Sequence, residues 1–246
     1  MSEVYQPVAV ITGGSQGLGY SLAKVLLQKG FAVSICARTK ADLQKAEATL
    51  SQHGPVYAIS GDVSGREFRE QFIHQTIDRF GRIDALVNNA STLGQVPLPA
   101  LLDVDVDKIT DVFSVNTIAP LHLIQLVWPH FQTHTNSLII GISSDAAIGG
   151  YPTWGIYGAS KTAADLFYKT LANELAESRV TIYSVDPGDM QTAMHHRVDP
   201  NASGLRDPHE VANVLATLFT PLVSTQAALY PSGSRLRISA QEIVEG

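Results

Sequence analysis

A chain of 246 residues, 45% of them apolar and 16% charged, is long enough to bury a substantial core and short enough to form one domain. Its net charge of −6 argues against nucleic acid or an anionic membrane surface as the main partner. A single cysteine, Cys36, excludes an internal disulfide; its apolar neighbours mark it as a core thiol, which suits a reducing cytoplasm. The opening MSEVYQP has no charged-then-apolar signal, and no apolar run approaches the ~20 residues of a membrane span. A soluble, cytoplasmic protein with no nucleic-acid or membrane partner is expected.

Apolar runs of strand length alternate with segments of helical period. Val8–Thr12 reads as a buried strand, and Leu18–Lys29 as a helix ending at Gly30. Ala32–Ala37 is a second strand, and Lys40–Gln52 a second helix, stopped by His53-Gly54-Pro55. Val56–Ser60 is a third strand, followed by a helix over Arg66–Phe80 that Ser64 is placed to cap. Ala85–Asn88 is a fourth strand, and Val106–His130 a long helix. Ser137–Ile142 then reads as a strand, Ile156–Glu177 as a helix and Thr181–Val185 as a sixth strand. Asp189–Asp207 is polar, without clear period, and reads as a loop or lid. Pro208 opens a helix continuing through Glu210–Phe219, and Arg235–Ile238 forms a final strand. Such alternation implies an α/β chain: a single domain over residues 1–246, a doubly wound parallel sheet of Rossmann type, helices on both faces and right-handed crossovers.

Two stretches carry chemistry. In Tyr157-Gly158-Ala159-Ser160-Lys161 a phenol and an ammonium lie four residues apart, on one helix face. The ammonium favours the phenolate and is expected to lower the tyrosine pKa, giving a group that exchanges a proton with a carbonyl or alcohol oxygen. Between the first strand and first helix stands Thr12-Gly13-Gly14-Ser15-Gln16-Gly17-Leu18-Gly19. Such a loop either brings backbone amides and a helix N-terminus to a pyrophosphate or merely makes a tight turn. The spacing is not G-x-G-x-x-G, and no Gly-Lys-Ser/Thr follows, so the nucleotide-triphosphate signature is missing.

T-G-x-x-x-G-x-G together with Y-x-x-x-K resembles the short-chain dehydrogenase/reductase family over almost the whole chain. Further matches come in order: Asp62-Val63 after the third strand, Asn88-Asn89-Ala90 after the fourth, Asn116 in the long helix, Ile142-Ser143-Ser144 after the fifth strand and Pro187-Gly188 after the sixth. The resemblance implies a nicotinamide cofactor held by Gly13, Ser15, Gln16, Gly17, Leu18 and Gly19. Asp62 and Val63 would hold its adenine, although Asp62 is equally placed to cap the next helix. Asn89, Ala90 and Ser91 would pass beneath the adenine-side ribose, Ser91 replacing the family's usual glycine, while Asn88 supports the sheet. Pro187, Gly188, Met190 and Thr192 would contact the nicotinamide carboxamide, and Tyr157 and Lys161 its ribose. At the end of the second strand a carboxylate would grip a ribose 2′-hydroxyl, whereas an arginine suits a 2′-phosphate. Ala37, Arg38 and Thr39 stand there, which favours NADP(H) over NAD(H); the plain alternative for Arg38 is a solvated surface side chain. Gln16 stands where some NADP-using relatives carry a second basic residue.

The same resemblance assigns catalysis to Asn116, Ser144, Tyr157 and Lys161. Ser144 lies thirteen residues before Tyr157, the family's separation, and its hydroxyl is placed to stabilise charge on the substrate oxygen. Ser143 is the structural neighbour, and no Gly-x-Ser-x-Gly elbow surrounds either serine. Pro120, four residues after Asn116, has no N–H to donate to the Asn116 carbonyl, so a kink with a freed carbonyl is expected. In the family that carbonyl holds a water linking the lysine to solvent. The implied reaction is hydride transfer between NADP(H) and a ketone, aldehyde or alcohol, with Tyr157 exchanging the proton. No metal is required, and His130 with His134 lacks a third ligand.

Substrate selection is expected from Gly94–Leu98, the Asp189–Asp207 segment, and Asp145, Tyr151, Trp154, Met190, Met194 and His195. Apolar residues around much of the Tyr157 helix suggest a homodimer through this helix and Val106–His130. The ending Ser232-Gly233-Ser234-Arg235-Leu236-Arg237-Ile238 departs from the family's usual V-D-G-G. Two further readings are an NAD-linked hydroxysteroid or sugar-alcohol dehydrogenase, differing mainly at Arg38, and a non-catalytic dinucleotide sensor. The latter predicts loss of Ser144, Tyr157 or Lys161, all of which are present.

Overall fold

Alternation along the strands decides the architecture. The structure, a computed structural model, describes residues 6–131 and 136–246. In Val8–Thr12 (β1) every residue is buried, yet Ala9 and Ile11 pack into one core and Val10 into another, since successive side chains leave a strand on opposite sides. A strand apolar on both faces needs cover on both, which is the environment of a parallel sheet. The remaining strands are Ala32–Ala37 (β2), Val56–Ser60 (β3), Ala85–Asn88 (β4), Ser137–Ile142 (β5), Val180–Asp186 (β6), Arg235–Ser239 (β7) and Glu242–Glu245 (β8). They lie in the order β3-β2-β1-β4-β5-β6-β7-β8, parallel except for the antiparallel β7–β8 pair.

The helices are Gly17–Gln28 (α1), Lys40–Leu50 (α2), Arg66–Phe80 (α3), Val106–Phe113 (α4), Ala119–Phe131 (α5), Gly155–Glu174 (α6), Ala193–Val198 (α7) and Pro208–Leu215 (α8). One core joins Leu22 and Leu26 of α1 to Leu43 of α2 and Leu215 of α8. The other joins Phe72 of α3, Leu123 and Val127 of α5, and Ala164 and Tyr168 of α6. The Tyr168 ring lies where a side chain at Gly141 would otherwise stand, so α6 settles close against β5.

Several expected details change. Gly65, not Ser64, is the N-cap of α3, and no side chain caps it; the Ser64 amide instead donates to Asp62 Oδ1 at 2.8 Å. The long helix is not a simple kinked rod, because Ser114–Ile118 forms a π turn between α4 and α5. Val106–Phe131 is long and apolar enough to cross a membrane by length and composition, contrary to the sequence reading. Here α5 packs on α3 and the sheet as a core helix. The helix opened by Pro208 ends at Leu215 and continues as a 3-10 turn to Leu222. The Asp189–Asp207 segment is no plain loop: it contains α7, and Met190 bridges to Arg206. Strand β8 had no clear sequence signal, being short, acidic and antiparallel.

Candidate active site

At β1 the strand order turns, with β2 on one side and β4 on the other. Beyond the carboxyl ends of the strands, where such sheets take ligands, lies a cavity of about 760 Å³. Its first wall is the glycine loop. Gly13 has φ +71°, and a β-carbon there would come within 2.8 Å of Asn89 Nδ2. The Asn89 amide group in turn donates to the carbonyls of Thr12 (2.8 Å) and Gly13 (3.1 Å), while Thr12 Oγ1 accepts from the backbone amides of Asn89 and Ala90 at 3.0 Å each. These bonds tie the loop after β1 to the loop after β4. Gln16 is the N-cap of α1 without a side-chain cap bond, so the first amides of that helix are left to the cavity.

This arrangement fits a dinucleotide: an uncapped helix N-terminus, a glycine-rich loop, and a basic group at the end of β2. Ser15, Gly17, Leu18, Arg38, Thr39, Asp62 and Val63 all line the same wall, whereas Gly19 is packed beneath it against the Gly13 carbonyl. Arg38 is exposed and makes no hydrogen bond or ion pair among the described residues. Thr39 is the N-cap of α2 but makes no cap bond, leaving its hydroxyl free for the cavity. Val63 and Ser64 are anchored from α3, where buried Arg69 donates to their carbonyls at 2.6 and 2.9 Å.

Ser144, Tyr157 and Lys161 meet at the other end. Gly158 lets α6 approach the 3-10 turn Asp145–Ala147, because a β-carbon there would collide with the Ala146 carbonyl. That contact sets the residue before it, Tyr157, against the residue before the turn, Ser144. Ser144 Oγ accepts from the Ala146 amide at 3.1 Å and lies 3.0 Å from Asp145 Oδ1. Lys161 Nζ is 5.6 Å from the Tyr157 ring centre and donates to the Ile142 carbonyl at 2.7 Å.

The expected lowering of the tyrosine pKa is not found. Burial pushes Tyr157 up to about 12, although hydrogen bonds from the Ser91 and Ser144 hydroxyls oppose the rise. Burial likewise brings Lys161 down to about 8, against the raising effect of Asp165. Desolvation of both groups outweighs their mutual influence. Ser91 therefore stands beside Tyr157 at the reaction end of the cavity.

Asn116 is buried, and its side chain is fully engaged. Oδ1 accepts from Ser91 Oγ (3.1 Å) and the Thr92 amide (2.9 Å), and Nδ2 donates to the Thr92 carbonyl (2.9 Å) and Ser160 Oγ (3.0 Å). The Ala119 amide reaches back to the Ser114 carbonyl, so the hydrogen-bond ladder shifts register before Pro120. Ser143 has the structural part expected of it: its amide donates to the Val185 carbonyl at 2.8 Å and its hydroxyl to Asp165 Oδ2 at 2.7 Å.

Asp145, Tyr151, Trp154, Met194 and His195 all line the reaction end of the cavity. Trp154 meets Tyr157 edge-on, with centroids 5.6 Å apart, and Met194 packs on the same cluster. His195 Nδ1 stands 3.8 Å from Asp189 Oδ1, while adjacent His196 is exposed outside the cavity. Pro187, Gly188, Met190 and Thr192 line the cavity too; Thr192 Oγ1 accepts from the His195 amide and Met190 packs partly against the first core. Leu93 and Val198 join this wall without having been singled out in the sequence, where each is one apolar residue in a loop or short helix. Of His130 and His134, the second lies outside the described residues; among the described residues no three metal-binding side chains converge.

Comparison with known proteins agrees with this geometry. The short chain dehydrogenase family model matches residues 7–203. An uncharacterized oxidoreductase of Staphylococcus epidermidis is 31% identical over 220 residues, covering 89% of this chain and 94% of that protein. A diacetyl reductase, (S)-acetoin forming, of the same species is 29% identical over 207 residues, covering 83% and 79%. The crystal structure of levodione reductase superposes with a TM-score of 0.86 at 22% identity, over 96% of this chain and 98% of that one.

Proposed function

From the premise that this chain belongs to the short-chain dehydrogenase/reductase family and is an oxidoreductase of NAD(P) chemistry, we propose that it is an NADP(H)-dependent carbonyl reductase working reversibly as an alcohol dehydrogenase. One observation carries the reading: Ser144, Tyr157 and Lys161 gather at one end of a cavity whose other end holds the glycine loop and Arg38, which has no ion pair among the described residues. When bound, the nicotinamide supplies or takes up the hydride. In reduction Tyr157 gives its hydroxyl proton to the substrate oxygen, and in oxidation it takes the proton back. Its elevated pKa supports the protonated form as the resting state. Ser144 positions the substrate oxygen and stabilises charge on it. Lys161 keeps a positive charge beside the phenol, and Asn116 holds the Ser91–Thr92 loop and Ser160 in place around it. Arg38 pairs with a 2′-phosphate, and Thr39 adds a hydrogen bond. Trp154, Met194 and Leu93 favour a small ketone or aldehyde with an apolar side.

The proposed state is a cytoplasmic homodimer through α6 and the α4–α5 helix, supported by exposed Val106, Ile118, Leu166 and Phe167 on those elements. Sedimentation at micromolar protein should give twice the chain mass; a monomeric mass overturns this. For chemistry, a panel of ketones and aldehydes with NADPH, beginning with diacetyl, should reveal turnover in the wild type. Tyr157→Phe should abolish that turnover while retaining NADPH binding by fluorescence titration; retained turnover sinks the mechanism. Arg38→Ala should weaken NADPH but not NADH. Equal binding of both by the wild type would remove the phosphate role.

A further inference from the structure

The side chain that ties the reaction end together belongs to no motif. Arg235 opens β7, separated from β5 and Ser144 by the whole of β6. Its Nη2 donates to the Ser144 carbonyl at 2.8 Å and stands 3.8 Å from Asp186 Oδ2 at the end of β6. Its Nε donates at 3.2 Å to Asp165 Oδ2, the oxygen that also accepts from Ser143 Oγ. Asp165 lies one helical turn beyond Lys161 on α6. One guanidinium therefore bridges the ends of β5 and β6 and the middle of α6, using the fork geometry that a lysine lacks.

The charges around it show why it matters. Asp186 is buried, and Asp165 is largely so, with Oδ1 lacking a hydrogen-bond partner among the described residues. Buried carboxylates need a close cation. Arg237 stands 3.8 Å from Asp186, but its side chain is 59% exposed, so solvent screens its help. Asp145, bonded by Tyr151, adds a further negative charge on the Ser144 side. Arg235, with its side chain 16% exposed, is the better shielded of the two arginines beside these carboxylates.

Resting on the reading of Ser144, Tyr157 and Lys161 as the reacting group, we propose that Arg235 is a positioning residue for the reaction. It fixes the Ser144 main chain against α6 and balances Asp165 and Asp186, so that neither carboxylate acts uncompensated on Lys161 or Tyr157. Arg235 does not line the cavity, and its effect on cofactor affinity is correspondingly small.

The test uses the full chain with NADPH and diacetyl, or whichever panel carbonyl the wild type reduces. Arg235→Met keeps length and loses charge. Uncompensated negative charge favours the protonated forms of Lys161 and Tyr157, so the alkaline limb of kcat/KM should move upward by about half a pH unit or more. Turnover at the optimum should fall roughly 10-fold or more, because the Ser144 carbonyl loses its anchor. Arg235→Lys keeps the charge without the fork, so it should restore the wild-type pH limb while turnover stays reduced. NADPH affinity should remain within about twofold for both, since Arg235 does not line the cavity, and lost packing alone would change stability rather than the pH limb. Wild-type turnover and an unmoved limb in both variants overturn the proposal. So does reduced turnover with an unmoved limb in Arg235→Met, which would mark Arg235 as packing. Should Arg235→Met fail to fold, Arg235→Lys decides: wild-type turnover there overturns the proposal, and reduced turnover with a wild-type limb and wild-type NADPH binding supports it. Tyr157→Phe run alongside separates the two readings. Turnover in Tyr157→Phe refutes the assigned chemistry itself, whereas an inactive Tyr157→Phe beside wild-type Arg235 variants refutes only the role of Arg235.

Discussion

A methyl group at Gly158 sets two physical effects against each other. In a helix interior alanine is more favourable than glycine by about 1 kcal/mol, so propensity alone makes Gly158→Ala stabilising. The structure opposes this, since the new β-carbon would lie on the Ala146 carbonyl oxygen, inside the 3.0 Å that β-carbons keep. The turn has little freedom to retreat: the Ala147 carbonyl accepts from Thr162 Oγ1, and the Ala146 amide donates to Ser144 Oγ. Overpacking of this kind costs about 1–3 kcal/mol, leaving a net loss of up to roughly 2 kcal/mol after the helix gain. Stability should therefore fall slightly, with Tm lower by about 2–4 °C per kcal/mol. The larger effect should be on chemistry, because the displacement separates Ser144 from Tyr157. A shift of roughly half an ångström or more should lower kcat about 10- to 100-fold while NADPH binding by fluorescence is kept. A variant with higher Tm and wild-type kcat would show that the Gly158 approach does not position the two hydroxyls, and would refute the reasoning.

Asn116→Ala leaves the Thr92 amide and carbonyl and Ser160 Oγ without their present partner. It should destabilise the protein by about 2–4 kcal/mol in urea unfolding, and an unchanged midpoint would contradict a structural role for that side chain. Lys161→Met removes a buried ammonium whose pKa lies near 8 in the folded chain, against 10.5 in its ordinary state. Between those values the unfolded chain binds more protons at this residue, so the wild type gains stability relative to the variant as pH rises from 8 to 10.5. Urea midpoints of both proteins at the two ends of that window measure the difference, and a parallel pH dependence would show that Lys161 is not desolvated. Cys36 is fully buried, and burial pushes its thiol up to about 12; a thiol reagent should react only as the protein unfolds, and rapid labelling of native protein would place Cys36 outside the core.

The central strands were legible because both of their faces are buried, which turns each into an unbroken apolar run: Val8–Thr12 and Ser137–Ile142 have the ends read from sequence. The interruption of the long helix was also foreseeable, since Pro120 cannot donate. Its form was not, because a π turn depends on which carbonyl the Ala119 amide finds. The cap of α3 was misread for a related reason: Ser64 has the right chemistry, but Asp62 captured its amide. Leu93 was invisible as a site residue, and Val198 was reached only as part of the Asp189–Asp207 segment, as a single apolar residue has no signature until something packs against it.

By itself the sequence determined the α/β alternation, the glycine-rich loop at the end of β1, and the tyrosine and lysine one turn apart, because each follows from local spacing and backbone geometry. Tertiary structure alone decided the electrostatics. Whether Lys161 lowers the Tyr157 pKa depends on how much water both lose, and burial raises the phenol to about 12. It also brought Arg235, seventy-four residues beyond Lys161 in the chain, to the Ser144 carbonyl and two buried carboxylates. Desolvation and such long-range ion pairs are properties of the packed molecule, and no spacing along the chain encodes them.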